Sequence, residues 1–481
     1  MNLSRPSRPR RAIESMRVLV YALAALLLAP VPSARAANAP LGAEVWIGLV
    51  PGSVPTPREA YASTGNGNRV KRTFAFGGNG TLASPFDASL TEQNTNGLSD
   101  VVLWLKLSHF DPANPSTANV SQGFTMHLMS GTYVTPTVKL DFSANWKLVG
   151  EGIDKTVIQL KPDPNGSGEV WVLRAGSGAT GNVNKYLYVA DLTLDCNYQN
   201  NLKFTKDHAL VVSAMGGMVE RVKAINYGSM GGPNPIFQEM FPIWYCVPAS
   251  GNPYFSIQNC EVTGAVVGPP GDAKHYCSAI TVSEGAIPQP GRNACVIISH
   301  NRVVDLPNGI AYNATINGTS GSATVILEDN LALGCGCAFN CDSWTNSDIV
   351  IQNNHFKNCG IGIQIGNSTP GTWFSRFQIL NNLIEVSGVQ PSWEPFGIQL
   401  NGHTTSFVVS GNIITAANTL DPRWKTFYGI RLAGKQNTGH IIQRNIVAPS
   451  FANVGQPSEI ALAVDNLTGN GAPLRGLPAV R

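Results

Sequence analysis

From Ile257 onward, apolar and polar positions alternate in short runs that each break at an asparagine: IQNCEVTG, ISHNRVVD, LEDNLALG, IQNNHFKN, ILNNLIEV, VSGNIITA and IQRNIVAP. Period-two alternation over short runs marks half-buried strands. Taken as anchors, Asn259, Asn301, Asn330, Asn354, Asn382, Asn412 and Asn445 lie 42, 29, 24, 28, 30 and 33 residues apart. Spacing that irregular, with the phrase itself kept, fits stacked coils joined by loops of variable length. A second phrase lies between the anchors: NGIAYN at 308–313, IGIQIG at 361–366, FGIQLN at 396–401 and YGIRLA at 428–433. Each coil is therefore predicted to hold short strands separated by tight turns. Stacking sets like residues above one another, so the asparagine amides form a hydrogen-bonded ladder at a turn while Ile, Leu and Val fill the interior. On this reading the recurring Asn is structural, not catalytic.

The same grammar runs upstream through VWVLRAG, LYVADLTLDCN, HALVVSA, VERVKAIN, PIWYC and SAITV to residue 125, near which FTMHLMSGTY and NWKLVGEGIDKTVIQL open it. The expected fold is all-β, a right-handed parallel β-helix (solenoid) of about ten coils. It spans residues 125–465, with a cap region over 37–124 and a disordered tail over 466–481. The cap segment is less periodic and includes the helix-like SDVVLWLKL; its expected role is to cover the exposed strand edges of the first coil. The phrases N-N-x-[FI] and G-I-x-[IL], with the opening G-T-Y and L-V-G-E-G, resemble the β-helix repeats of the pectate lyase superfamily over residues 125–465. The resemblance implies that substrate lies along the sheet carrying the G-I-x-[IL] strands. It also implies a polysaccharide lyase, glycoside hydrolase or epimerase, or else a binding or structural coil. Core and ladder residues carry the resemblance, and they specify no reaction.

At the N-terminus, Arg8, Arg10, Arg11 and Arg17 precede an almost wholly apolar run from Val18 to Pro30, followed by Ala34-Arg35-Ala36. That is the order of a signal peptide over residues 1–36, and it implies a secreted or periplasmic protein beginning near Ala37. No later run approaches the roughly 20 apolar residues of a membrane helix, so membrane insertion is not expected. With 33 basic and 30 acidic residues the net charge is only +3, which gives no nucleic-acid footprint. Nine cysteines in an exported chain allow disulfides, but none has a zinc-like spacing. No cofactor is identified; separated Asp and Glu residues leave a calcium site open without marking one.

Aligning Gly362-Ile363-Gln364-Ile365 with the other coils predicts an outward column of Val211, Trp244, Thr281, Ala311, Ala338, Gln364, Gln399 and Arg431. Trp244, Gln364, Gln399 and Arg431 on this face, and Trp344, Trp373, Trp393 and Trp424 in flanking loops, are candidate polysaccharide contacts, because flat rings beside polar groups suit sugars. Packing of loops onto the coil explains any one of these Trp equally well. Lys206-Asp207-His208, Glu239 and Lys274-His275 fall just ahead of the predicted outward strand in three consecutive coils. Asp207 with Glu239 offers an acid and base pair for hydrolysis. Lys206, His208, Lys274 and His275 offer bases for proton abstraction beside a uronate carboxylate, with Arg292 to neutralise it. Glu284 and Asp342 rank second. Each of these charges, taken alone, is more often a solvated loop position. Asp191 and Asp195 are read as caps of the turn ladder. The motif series of polygalacturonases is absent, since Gly402-His403 is followed by Thr404. The leading expectation is an exported carbohydrate-active enzyme, lyase or hydrolase; the alternative is a non-catalytic glycan-binding or structural β-helix.

Overall fold

The computed structural model describes residues 43–63, 69–108, 123–140, 145–176, 183–202, 204–228, 241–263, 278–284, 293–305, 308–314, 323–341, 348–366, 373–387, 395–401, 403–416, 428–433, 439–447, 460–464 and 466–468. The segment expected to be a signal peptide, residues 1–36, lies outside them, as do residues 469–481 of the expected tail; the first residues of that tail instead belong to the coil, Leu467–Thr468 pairing in parallel with Ile446–Val447.

The chain winds as a parallel β-helix, with the right-handed sense that parallel crossovers take. Among the described residues ten strands, from Val138–Lys139 to Tyr428–Ala433, pair in parallel and in chain order into a single outer sheet. A second parallel array, of 24 strands among the described residues, lines the remaining sides. Alternation does the sorting: Ile349, Ile351, Ile363, Ile365, Ile379 and Ile398 are wholly buried in one continuous core, while their strand neighbours turn outward. The stack begins earlier than the repeat is legible. Ala43–Gly48 already pairs in parallel with Phe124–Leu128 and buries Val45 and Ile47. The hairpin Thr56–Ser63/Arg69–Phe76 and the helix Leu98–Ser108 pack beside it. There Phe76, Phe86 and Trp104 meet edge-on around the Arg58 guanidinium, 4.9 Å from each ring. No helix among the described residues is long and apolar enough to cross a membrane.

The turn ladder is real, but it is one residue out of register at its start. Asn301, Asn330, Asn354, Asn382, Asn412, Asn445 and Asn466 stack rung on rung. Each Oδ1 accepts the backbone N–H of the preceding rung, and each Nδ2 donates to a carbonyl there, as Asn354 does to Leu327 at 3.1 Å. In the coil before Asn301 this place belongs to Cys260, whose N–H donates to Asn301 Oδ1 at 2.9 Å. Asn259 instead takes the adjoining left-handed site, φ 54°, in one column with His300, Asp329, Asn353, Asn381, Gly411 and Arg444. Two neighbouring turn positions favour asparagine for different reasons, one for its amide and one for tolerance of positive φ. Reading every Asn as the ladder residue merges them.

Farther up the same left-handed column stand Asp191 and Arg221, whose side chains form a two-pronged pair at 2.6 and 2.9 Å. Asp195 accepts from Asn197 N–H, Gln159 and Asn226. Both aspartates are thus occupied in holding turns.

Candidate active site on the outer sheet

Strand register fixes which residues share the outward column: Lys139, Arg174, Val211, Trp244, Thr281, Ala311, Asn340, Gln364, Gln399 and Arg431. Trp244, Gln364, Gln399 and Arg431 therefore stand where alternation places them. Ala338 does not: Asn340 pairs with both Ala311 and Gln364, so the true register at Cys337–Cys341 is two residues on. The face is also less open than a bare polar floor. Thr281 is 0% exposed, and Asn340 and Gln399 are 9%.

Three residues ahead of this column runs a second one, marked by rings at both ends. It includes Trp171 and His208 at one end and Cys337, Ile361, Phe396 and Tyr428 at the other. The last four form an apolar cluster separate from the main core, as residues outside the cylinder would. The Arg431 guanidinium sits 5.0 Å from the Phe396 ring and 4.9 Å from Tyr428. At the other end Arg174 lies 5.1 Å from Trp171 in the same way.

That N-terminal end brings an imidazole and a carboxylate together. His208, almost wholly buried, is flanked by Trp171, Phe241 and Trp244 with ring centres 6.2, 6.0 and 5.8 Å away. Its Nε2 lies 2.7 Å from Glu169 Oε1, and the Glu169 side chain is 36% exposed. Phe241 N–H points to Nδ1 at 3.0 Å. An Nδ1 that accepts from Phe241 leaves the neutral ring's proton on Nε2, donated to Glu169. The carboxylate is thereby oriented on a strand by a histidine that two tryptophans flank, one of them stacked with Arg174. Trp244 Nε1 is tied down by Ser283 Oγ at 2.6 Å. Next to it Cys246 is buried, and loss of hydration pushes its thiol up to about 12, so it is not a nucleophile.

Asp207 is not part of this constellation. The Lys206-Asp207-His208 run lies inside the strand Phe204–Val212 rather than in the loop before it, so successive side chains face opposite ways. His208 goes outward, and Asp207 goes to the other side beside Tyr198. There it is 0% exposed, with neither carboxylate oxygen hydrogen-bonded. Burial without a partner pushes its pKa up to about 8. Burial, and then the Asp207 charge, raise the Tyr198 phenol as well. The backbone of Lys206 pairs with Glu169 and that of Glu284 with Ala314; their side chains lie outside the described residues. Glu239, Lys274, His275, Arg292, Asp342, Trp344, Trp393 and Trp424 lie outside them too, as does the Trp373 side chain.

Glu169, Trp171 and Arg174 are candidate site residues that sequence reasoning passed over. Their phrase, GEVWVLRAG, reads as one more core strand until it is laid against HALVV and IWYC, whereupon Trp171 stands over His208 and Arg174 over Val211. Among the described residues no three His, Cys, Asp or Glu side chains converge as a metal site would require.

No protein-family model and no curated protein matches this sequence. Solved structures match it at low identity. The N-terminal fragment of bacteriophage Phi29 gene product 12 is 15% identical with a TM-score of 0.42, over 76% of this chain and 65% of its own. The A-module of the Azotobacter vinelandii mannuronan C-5 epimerase is 14% identical with a TM-score of 0.31, over 74% and 91%. A PL6 family polysaccharide lyase from Pseudopedobacter saltans is 13% identical with a TM-score of 0.29, over 75% and 92%. The chain thus spans 65% of the length of the phage fragment.

Proposed function

We propose that this protein is an exported carbohydrate-active enzyme that holds a polysaccharide along its outer sheet and acts on it at Glu169. The observation that carries this reading is the partly exposed Glu169 carboxylate, oriented at 2.7 Å by a His208 that Trp171 and Trp244 flank. Tryptophan faces seat the apolar side of a sugar ring, and a fixed carboxylate beside them can move a proton. Arg174, stacked on Trp171, favours elimination over hydrolysis, because a cation there stabilises the charge that builds on a uronate carboxylate when its α-proton leaves. Glu169 takes that proton, the electron pair forms the new C=C bond, and the glycosidic C–O bond breaks toward the leaving oxygen, which takes up a proton from solvent water. His208 keeps the carboxylate in place.

The test is incubation of the purified protein with uronate-containing and neutral polysaccharides, following the ultraviolet absorbance of unsaturated uronates together with reducing ends. Growth of both signals supports elimination; reducing ends alone make the enzyme a hydrolase. Binding without turnover would support the non-catalytic reading, which draws its own strength from His208 having both ring nitrogens engaged.

A further inference from the structure

We propose that the C-terminal half of the outer face is a second, recognition site, in which Asn340, Gln364 and Gln399 hold hydroxyl-bearing sugar units of the same polysaccharide far from Glu169. This rests on the reading that the outer face binds a polysaccharide.

Three primary amides stand on three successive strands in direct register, all outward. Each offers two N–H donors and one acceptor oxygen, the set that matches neighbouring hydroxyls of a sugar. The Asn340 amide is 9% exposed, yet its buried Oδ1 accepts no hydrogen bond. Leaving such an atom unmet is costly, and a ligand hydroxyl would relieve it. Gln399 is equally covered and Gln364 half-buried, so the amides are shielded from bulk water, where hydrogen bonds discriminate best. Tyr428, partly exposed beside them, is held by Phe396 at 5.9 Å and by Arg431, which gives the site a fixed ring.

Distance turns this into a specificity. Asn340, Gln364 and Gln399 lie five, six and seven strands along the sheet from the strand of Glu169. At about 4.8 Å per strand that is roughly 24 to 34 Å. Only a chain long enough to span it engages both sites, and the second contact then acts as an intramolecular one. The enzyme should favour long chains over short oligomers, and the amides should be the reason.

The experiment compares the unsubstituted protein with Gln364→Ala/Gln399→Ala, using polygalacturonate, alginate and xylan, each as polymer and as di- to tetrasaccharides. Affinity for the bound polymer is expected to fall 10- to 100-fold in the double variant, as for loss of one arm of a two-point contact. The ratio of polymer to tetrasaccharide kcat/KM should fall with it, with thermal unfolding confirming an intact coil. Gln399→Asn should recover part of the loss. Unchanged polymer affinity, or an equal loss for polymer and tetrasaccharide, overturns the second site while leaving the outer-face reading intact. Absence of binding to any of the three polymers by the unsubstituted protein overturns that reading and the second site with it.

Discussion

The turn ladder and the outer sheet are built by the same stacking, yet they treat polar groups oppositely. From Asn301 to Asn466 every ladder amide is buried and engaged at both ends. On the outer face Trp171 Nε1, Thr281 Oγ1 and Asn340 Oδ1 are buried and meet no hydrogen-bond partner. An orphaned buried polar atom costs about 1–3 kcal/mol, so a fold that saturates the ladder and leaves these three atoms of the outer face unmet has spent stability there. The ladder is where the molecule holds itself; the unmet atoms are where it can hold something else.

The sharpest separation of the two comes from one substitution on each. Glu169→Gln keeps the size and the contact with His208 but removes the base. Turnover on the active polysaccharide is expected to fall on the order of 10²–10⁴-fold, with the thermal midpoint unmoved. Asn354→Ala should do the reverse. It strips the amide bonds to Leu327 and Asn382 and orphans the backbone N–H of Asn330. A loss on the order of 3 kcal/mol in denaturant unfolding is expected, with turnover per folded molecule preserved. A ladder variant that abolishes activity while remaining folded would erase the distinction.

Two buried ionisable groups, neither on the outer face, set the pH response of stability in opposite directions. Asp207 is raised from 3.8 to about 8, so the folded state keeps a proton that the unfolded chain has lost; stability falls as pH rises between those values. His440, buried beneath Phe407 with Thr404 at its Nε2, is lowered from 6.5 to about 4 by burial. It resists protonation that the unfolded chain accepts, so its stability is present above pH 6.5 and is lost as pH falls toward 4. One proton shifts stability by about 1.4 kcal/mol per pH unit while its window is open. From these two groups, stability is level between pH 4 and 6.5, where they cancel, and declines from 6.5 to about 8. In Asp207→Asn the decline should vanish and a rise between pH 4 and 6.5 should appear. Denaturant midpoints across that range check it, and an unchanged profile would mean that Asp207 titrates as an ordinary exposed carboxylate.

The fold was legible because its determinants repeat: alternation and a recurrent Asn survive loops of any length. Gln364, Gln399 and Arg431 were legible for the same reason, since the G-I-x-[IL] phrase carries its register with it; Trp244, in a strand without the phrase, followed from alternation alone. Failures came where one residue type serves two purposes or where the phrase is missing. The Cys337–Cys341 strand, CAFNC, lacks the glycine that marks the register in its neighbours Asn308–Ala314 and Ile361–Ile365, which put Ala338 in place of Asn340. Asp207 looked catalytic because a charge before a strand suggests a loop; in fact the strand begins at Phe204, and alternation turns Asp207 away from its neighbour His208. Glu169 needed the partner strand to be recognised, because its significance lies in His208, 39 residues on.

The smallest effect probes the boundary of the ladder itself. At Cys260 the backbone already donates to Asn301 Oδ1, as a ladder residue's does, and Sγ lies 3.7 Å from the carbonyl of Val219. That carbonyl holds the place in its coil that Ile257 holds for Asn301, whose Nδ2 donates there at 2.9 Å. Cys260→Asn would set its Nδ2 toward Val219 and Asn301 and its Oδ1 toward the backbone N–H of Val222. The thiol makes only weak hydrogen bonds, so the exchange should gain about 1 kcal/mol if the amide fits. A rise in the denaturant midpoint at constant m-value would show that the ladder ends at Asn301 by residue choice alone. A fall would show that the coil above, where Val222 and Leu192 occupy the column, is packed too tightly against the core to admit a polar rung.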